Sequence, residues 1–221
     1  GSAVEARRSL SRPPVVVIGL DCATGLQTAR VFAARGIEVI GIAPDLEHPC
    51  VRTVACRRVM LANPDSESIV ATLRALGAQL DTRAVLVPCT DLAVIGIARH
   101  REELSKYFLT SVPAHPVIEQ LMDKALFAEF AVKQGLPIPT TRVLRSRSDA
   151  EATAREARFP CVLKPSVKSV MWDTNAAAKA LIADSPAALL DLYDRHTPWA
   201  ETFVVQEWIR GGDSDHYTCD S

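Results

Sequence analysis

The chain is 221 residues long and 48% hydrophobic, with 25 basic against 26 acidic side chains and a formal charge of -1. That length supports one large domain or two modest ones, and the balanced charge gives no ground for a nucleic-acid or membrane-surface partner. The longest apolar run, Pro14 to Leu20, is strand-sized and far short of the roughly 18 residues of a membrane span.

The opening Gly-Ser reads as a tag remnant, so residues 1–12, polar and arginine-rich, are set outside the fold. No secretory signal is visible. Cysteines at Cys22, Cys50, Cys56, Cys89, Cys161 and Cys219 show no CxxC spacing. Buried, reduced thiols in a cytoplasmic protein are expected, rather than zinc ligands or a disulfide framework.

In chain order, Pro14 to Gly19 is a continuous apolar run, the mark of a strand buried on both faces. Thr24 to Arg35 predicts a helix closed by Gly36. Ile37 to Ala43 and Arg57 to Leu61 predict the next strands. A helix over Ser66 to Leu76 is ended by Gly77. Arg83 to Pro88 is another buried strand, and Asp91 to Leu104 reads as one helix. Strand and helix alternate, which implies right-handed crossovers and a parallel sheet covered on both faces. Residues 13–115 are therefore expected to form a Rossmann-like α/β domain, ending where Pro113 and Pro116 interrupt the pattern.

Residues 116–221 change style, toward an α+β domain. Asp123 to Gln134 predicts an amphipathic helix with Leu126, Phe127, Phe130 and Ala131 on its apolar side. A strand follows near Thr141 to Leu144. Ser148 to Glu151 matches a capping box. Phe159 to Pro165 and Ala177 to Ala183 predict strands. Ser185-Pro186 opens a helix. Thr202 to Ile209 is the last complete strand, and Asp215 to Asp220 reads as the start of one more.

The first strand runs into Gly19 to Gly25, where a dinucleotide fingerprint would need G-x-G-x-x-G. Asp21 stands at the second glycine position and Thr24 at the third. A carboxylate there opposes a pyrophosphate, so NAD is a poor fit. Asp45, after the second strand, imitates a ribose-binding acid, although a turn residue explains it better. The five histidines are not spaced as metal ligands.

Three later stretches carry chemistry together. Asp123 is a helix N-cap and places Lys124 in the first turn, where a cation and free backbone N–H groups would both attract a phosphate. An apolar strand delivers Lys164 at its end, with a stem able to line a pocket while the ammonium reaches outward. Val204 to Asp215 puts Gln206 and Glu207 on a strand, then Trp208, Ile209, a glycine pair and Asp213. The plain alternatives are a solvated lysine, a lysine leaving a strand end, and a hairpin turn at Gly211-Gly212.

The order MDKALFAEF, FPCVLKP, VVQEWIRGGDSD resembles the ATP-grasp superfamily, which includes carbamoyl phosphate synthetase, biotin carboxylase and many carboxylate–amine ligases. The likeness runs from Pro14 to the C-terminus, and the Rossmann-like region resembles a pre-ATP-grasp domain. It implies a parallel-sheet α/β pre-ATP-grasp domain, followed by an incomplete ATP-grasp domain. By position, it implies ATP phosphates on Lys124 and Lys164, adenine bracketed by backbone groups of Gln206 and Ile209, Glu207 in the same adenine-reading strand, and ribose on Asp213. A flexible glycine-rich loop over the phosphates is also implied. Residues 166–176 lack glycine and offer Ser166, Lys168 and Ser169 instead.

The resemblance further implies ATP with Mg2+, and small-molecule carboxylate and amine substrates joined through an acylphosphate. A homodimer is the fair expectation from the family. Its magnesium ligands are expected beyond Ser221. This chain is thus expected to be an inactive amino-terminal fragment, with no catalytic or metal residue of its own. Two alternatives stand beside the ligase. One is a non-catalytic nucleotide-binding or dimerising module. The other, disfavoured by Asp21, is an NAD-dependent oxidoreductase.

Overall fold

A computed structural model describes residues 12–176, 178, 180–215 and 217, with the backbone only at Val170, Asp173 and Asp213. The chain forms two compact units that part between Ile118 and Glu119. The first contains β1 (Val15–Ile18), α1 (Ala23–Ala34), β2 (Val39–Ala43), β3 (Arg58–Leu61), α2 (Ser66–Gly77), β4 (Ala84–Pro88), α3 (Asp91–Arg99), α4 (Arg101–Leu104) and β5 (Phe108–Leu109). Its five strands are all parallel, in the order β3-β2-β1-β4-β5. The apolar runs explain this arrangement. β1 and β2 are buried along their whole length, as strands must be when helices cover both faces. Val15 and Val17 face a core shared with Ala29 and Phe32 of α1, while Ile18 and Ile42 approach Ile69 of α2 on the other side.

The glycines of the first loop serve packing. Gly19 has φ +96°, and a Cβ on it would stand 2.6 Å from Thr90 Cγ2. On Gly25 it would stand 2.0 Å from the Gly19 carbonyl oxygen. α1 is capped by Cys22, whose thiol accepts the Gly25 N–H at 3.3 Å and donates to the Gly19 carbonyl at 3.1 Å. Asp45 is a turn residue, its carboxylate accepting the Glu47 N–H at 2.8 Å. Gly36 has φ +69° and ends α1 as expected. Gly77 differs: it is the last helical residue of α2, and its missing side chain makes room for the Tyr107 ring.

The helix expected over Asp91 to Leu104 breaks at His100, where φ -106° and ψ 22° leave the helical region. After the break, Glu103 accepts two hydrogen bonds from the Arg74 guanidinium of α2, at 2.6 and 2.9 Å. Of the two prolines expected to end the domain, Pro113 lies in a segment without regular structure. Pro116 falls in the first turn of α5 (His115–Met122), where its missing N–H is harmless.

The second unit contains α6 (Lys124–Lys133), β6 (Thr141–Leu144), α7 (Arg147–Glu156), β7 (Cys161–Pro165), α8 (Val170–Asn175), β8 (Leu181–Ala183), α9 (Pro186–His196) and β9 (Phe203–Glu207). Its four strands run antiparallel in the order β6-β9-β7-β8. One face is the core: Leu144, Cys161, Leu163, Leu181, Ala183, Phe203 and Val205 pack with Ala150, Ala154, Leu189 and Tyr193 of α7 and α9. The alternating register sends Thr141, Val162, Lys164 and Gln206 to the opposite face.

Several expectations shift here. α6 fully buries Ala125, Ala128 and Ala131; of the expected apolar side Ala131 is fully buried, while Leu126, Phe127 and Phe130 are only partly so. α7 starts earlier than Ser148. Ser146 is the cap and accepts the Asp149 N–H, while Asp149 accepts the Arg145 N–H at 2.9 Å. The glycine-free segment after β7 carries α8, capped by Ser169 and anchored by Trp172, which is 1% exposed. Ala177 lies outside the described residues. β9 ends at Glu207, and Asp213–Asp215 is a short 3-10 turn. The strand start expected over Asp215 to Asp220 lies mostly outside the described residues. Residues 216 and 218–221, Cys219 among them, lie outside the described residues. Of the remaining cysteines only Cys161 is fully buried; Cys22, Cys50, Cys56 and Cys89 are partly exposed.

Candidate functional site

Two of the expected residues meet, half-buried, on the face of the second sheet away from the α7–α9 core. Lys164 Nζ donates to Gln206 Oε1 at 3.0 Å, and Gln206 Nε2 donates to Thr141 Oγ1 at 3.0 Å. A lysine offers only donors, so the amide orientation is fixed. A line of polar side chains therefore crosses β7, β9 and β6 on the face away from the core. Glu207 is one residue further on and points the other way. Its Oε1 accepts the Thr140 N–H at 3.0 Å and its own N–H donates to the Thr140 carbonyl at 3.0 Å, tying it to the chain before β6. On that side it lines a pocket of about 300 Å³ with Arg142, Glu156, Arg158 and Cys161.

Beyond Glu207 the backbone changes character. Trp208, Ile209, Arg210 and Gly211 make no backbone hydrogen bond to described residues. Ile209 is 69% exposed. Gly212 N–H is held by Asp215 Oδ2 at 2.7 Å, which closes the turn. The Asp213 side chain, and with it the ribose expectation, lies outside the described residues.

Lys124 begins α6, and its surroundings correct the picture of an open helix end. The Lys124 N–H donates to the Ser166 carbonyl at 3.0 Å. Ala125 N–H is shared by Asp123 Oδ1 at 2.8 Å and Ser166 Oγ at 3.1 Å, and Leu126 N–H goes to Asp123 at 3.1 Å. Ser166 Oγ also donates to Asp123 in a short bond. The N–H groups expected to greet a phosphate are thus already satisfied within the protein. The Lys124 ammonium is itself engaged, its Nζ 3.4 Å from the Ser166 carbonyl. Ser166 follows β7 directly, so this knot fixes Lys124 beside the strand end that carries Lys164. A groove of about 450 Å³ opens beside it, lined by Asp123, Ser166, Ser169, Met171, Trp199 and Thr202. The hydroxyls expected on a flexible loop are engaged: Ser166 is 2% exposed, and Ser169 accepts the Trp172 N–H at 3.1 Å.

Sequence reasoning missed Thr141, Ser166 as a helix anchor, and Trp172. A lone tryptophan in an otherwise small and polar segment was the available signal for the last. The other two are pairings over 65 and 42 residues of sequence, which no local pattern carries.

No protein-family model matches the chain. Among solved structures, the ADP complex of purK, an N5-carboxyaminoimidazole ribonucleotide synthetase, superposes with a TM-score of 0.65 at 16% identity, over 90% of this chain and 48% of that one. The L-amino acid ligase from Bacillus licheniformis gives 0.66 at 15% identity, over 91% and 45%. The chain has the fold of the amino-terminal portion of the ATP-grasp superfamily. In sequence, a D-aspartate ligase from Enterococcus faecium (strain Aus0004) is 27% identical over 138 residues, covering 59% of this chain and 33% of the ligase. The chain spans about half the length of these ATP-grasp structures and a third of that sequence relative.

Proposed function

We propose that the second unit is the nucleotide-binding half of an ATP-dependent carboxylate–amine ligase. The observation that carries this reading is the part-buried Lys164–Gln206 pair on the sheet face away from the α7–α9 core, followed by backbone at Trp208 to Gly211 that no described residue engages. Unpaired N–H and C=O groups can read the edge of a purine, and half-buried ammonium groups can hold phosphates. In this reading Lys124 and Lys164 meet the phosphates, the backbone of Gln206 and Ile209 brackets adenine, and Glu207 braces that strand through Thr140. Asp213 takes the ribose.

The reaction would pass the terminal phosphoryl group to a carboxylate, and an amine would displace phosphate from the acylphosphate. It needs positioned cations as charge moves between oxygens, and little covalent help from protein. Lys164 is held in place by Gln206, and Lys124 by the α6–Ser166 knot, so both cations are ordered beforehand. Mg2+ would enter with the phosphates. Among the described residues no three His, Cys, Asp or Glu side chains converge on a metal-sized site, so no ligand is assigned to it. Small-molecule substrates, a homodimer and a cytoplasmic location accompany this reading. Among the described residues no helix is long and apolar enough to cross a membrane.

A thermal-shift titration with magnesium-ATP tests it, with NAD for comparison. Stabilisation by ATP alone is expected. Lys164→Ala removes a charge-assisted contact of ~1.5–3 kcal/mol, so nucleotide affinity should fall about 10–100-fold. An equal shift with NAD, or an unchanged affinity in Lys164→Ala, would sink the assignment.

One observation favours a second reading, a non-catalytic nucleotide-binding module. The segment where a flexible phosphate-covering loop is expected is instead helical and anchored by Trp172. Phosphate release from ATP across a panel of carboxylates and amines, in the longest natural form of the protein, separates the two. Nucleotide binding without any turnover would leave the module.

A further inference from the structure

The nucleotide reading leaves a cavity of the first unit unused. It measures about 100 Å³ and sits at the carboxyl ends of β1, β2 and β3, walled by Ile18, Ile42, Ile69 and Leu92, with Asp21 and Thr90 also lining it. In open parallel α/β sheets this is the end where ligands bind, close to the point where strand order turns, here between β1 and β4. Asp21 forms no hydrogen bond or ion pair with any described residue.

The sign of the surrounding charge narrows the ligand. Residues 19–25, 44–48, 62–66 and 89–92, which follow the first four strands, contain no lysine or arginine. The helix N-termini at this end would ordinarily favour an anion. Their leading N–H groups are already taken, Gly25 by Cys22, Ser68 by Asp65 and Ala93 by Thr90. An incoming carboxylate or phosphate would meet the Asp21 carboxylate with no cation to offset it. An ammonium would be attracted to it. The volume corresponds to roughly three water-sized groups at ~30 Å³ each, room for a short aliphatic body.

We propose that this cavity binds a small primary amine, its ammonium on the Asp21 carboxylate and a chain of about three or four carbons among Ile18, Ile42, Ile69 and Leu92. That the bound amine is the acceptor of the ligase rests on the function proposed above; its binding does not.

The test is an amide-resolved NMR titration of the whole chain with n-butylammonium, and separately with butyrate, which has a similar body and the opposite charge. Butylammonium should shift the amides of Gly19, Asp21, Ala43 and Asn63 and saturate, while butyrate leaves them in place. Asp21→Asn should weaken butylammonium at least tenfold. Equal responses to the two ions, no saturable response at those amides, or unchanged affinity in Asp21→Asn would overturn the proposal. The comparison of the two ions needs no variant, so it stands even if Asp21→Asn fails to fold. Adding magnesium-ATP to the same sample reads the other site, through the amides near Lys124, Lys164 and Ile209, so the failure of one assignment is distinguishable from failure of the other.

Discussion

Trp172 allows packing to be separated from hydrogen bonding. The side chain is 1% exposed, with ring centroids 5.4 Å from His196 and 6.1 Å from Phe203. Its Nε1 nevertheless has no hydrogen-bond partner among the described residues. Trp172→Ala empties a site of this kind at a cost of ~3–5 kcal/mol. Trp172→Phe keeps a ring against Phe203 and gives up about 40 Å² of buried apolar surface, or ~1 kcal/mol. It also removes a buried, unsatisfied donor, which costs ~1–3 kcal/mol where it stands. The two effects oppose each other, so the phenylalanine variant should lie within about 1 kcal/mol of the parent, or above it. All three tryptophans, Trp172, Trp199 and Trp208, belong to the second unit. Their fluorescence in a urea titration therefore follows that unit alone, and Trp199 and Trp208 remain as probes in both variants. With a slope of ~1–3 kcal/mol/M, the alanine variant should lose more than ~1 M in its midpoint and the phenylalanine variant less than ~1 M. A phenylalanine variant as unstable as the alanine one would refute the claim that the indole nitrogen is a liability.

Two further outcomes concern the scaffold. Gly25→Ala places a Cβ 2.0 Å from the Gly19 carbonyl, with only backbone to move, and should cost at least ~3 kcal/mol in a thermal melt. Gly36→Ala meets no atom within 4 Å and bears only its φ of +69°, so ~1–2 kcal/mol is expected; equal losses at the two positions would remove the packing explanation of the first loop. Burial pushes the Cys161 thiol up to about 11 from an ordinary 9.0, with Asp184 adding to it. Because the folded value is raised, the stabilisation is complete below pH 9.0 and is lost as pH climbs toward about 11. The second unit should give up on the order of 2–3 kcal/mol across that window, and Cys161→Ala should flatten the alkaline limb.

Much of the fold was legible because its signals are local. Continuous apolar runs at Val15–Ile18 and Val39–Ala43 announce strands buried on both faces, and Ser185-Pro186 announces a helix start. What escaped depended on tertiary partners. The α6 helix looks amphipathic through Leu126, Phe127 and Phe130, yet the residues it buries fully are its alanines. β5 has two residues and no period to detect, and is placed by pairing with β4. The candidate site divides in the same way. Lys164 and Gln206 stand out as polar residues ending apolar strands, but their pairing, and the turning of Glu207 to the other side, follow only from the β7–β9 register. The helix start at Lys124 suggested open N–H groups, and a serine 41 residues away from Ala125 had already closed them.

That closure has a mechanical consequence. Lys124 N–H and Ala125 N–H both grip Ser166, the residue just past β7. Residues 125–165 therefore form a loop of chain fastened at its own base, like a purse drawn shut. Lengthening a turn inside it, such as the one between α6 and β6, moves neither end. The spacing of the two lysines is set at the clasp and is insulated from whatever insertions or deletions the intervening chain accepts.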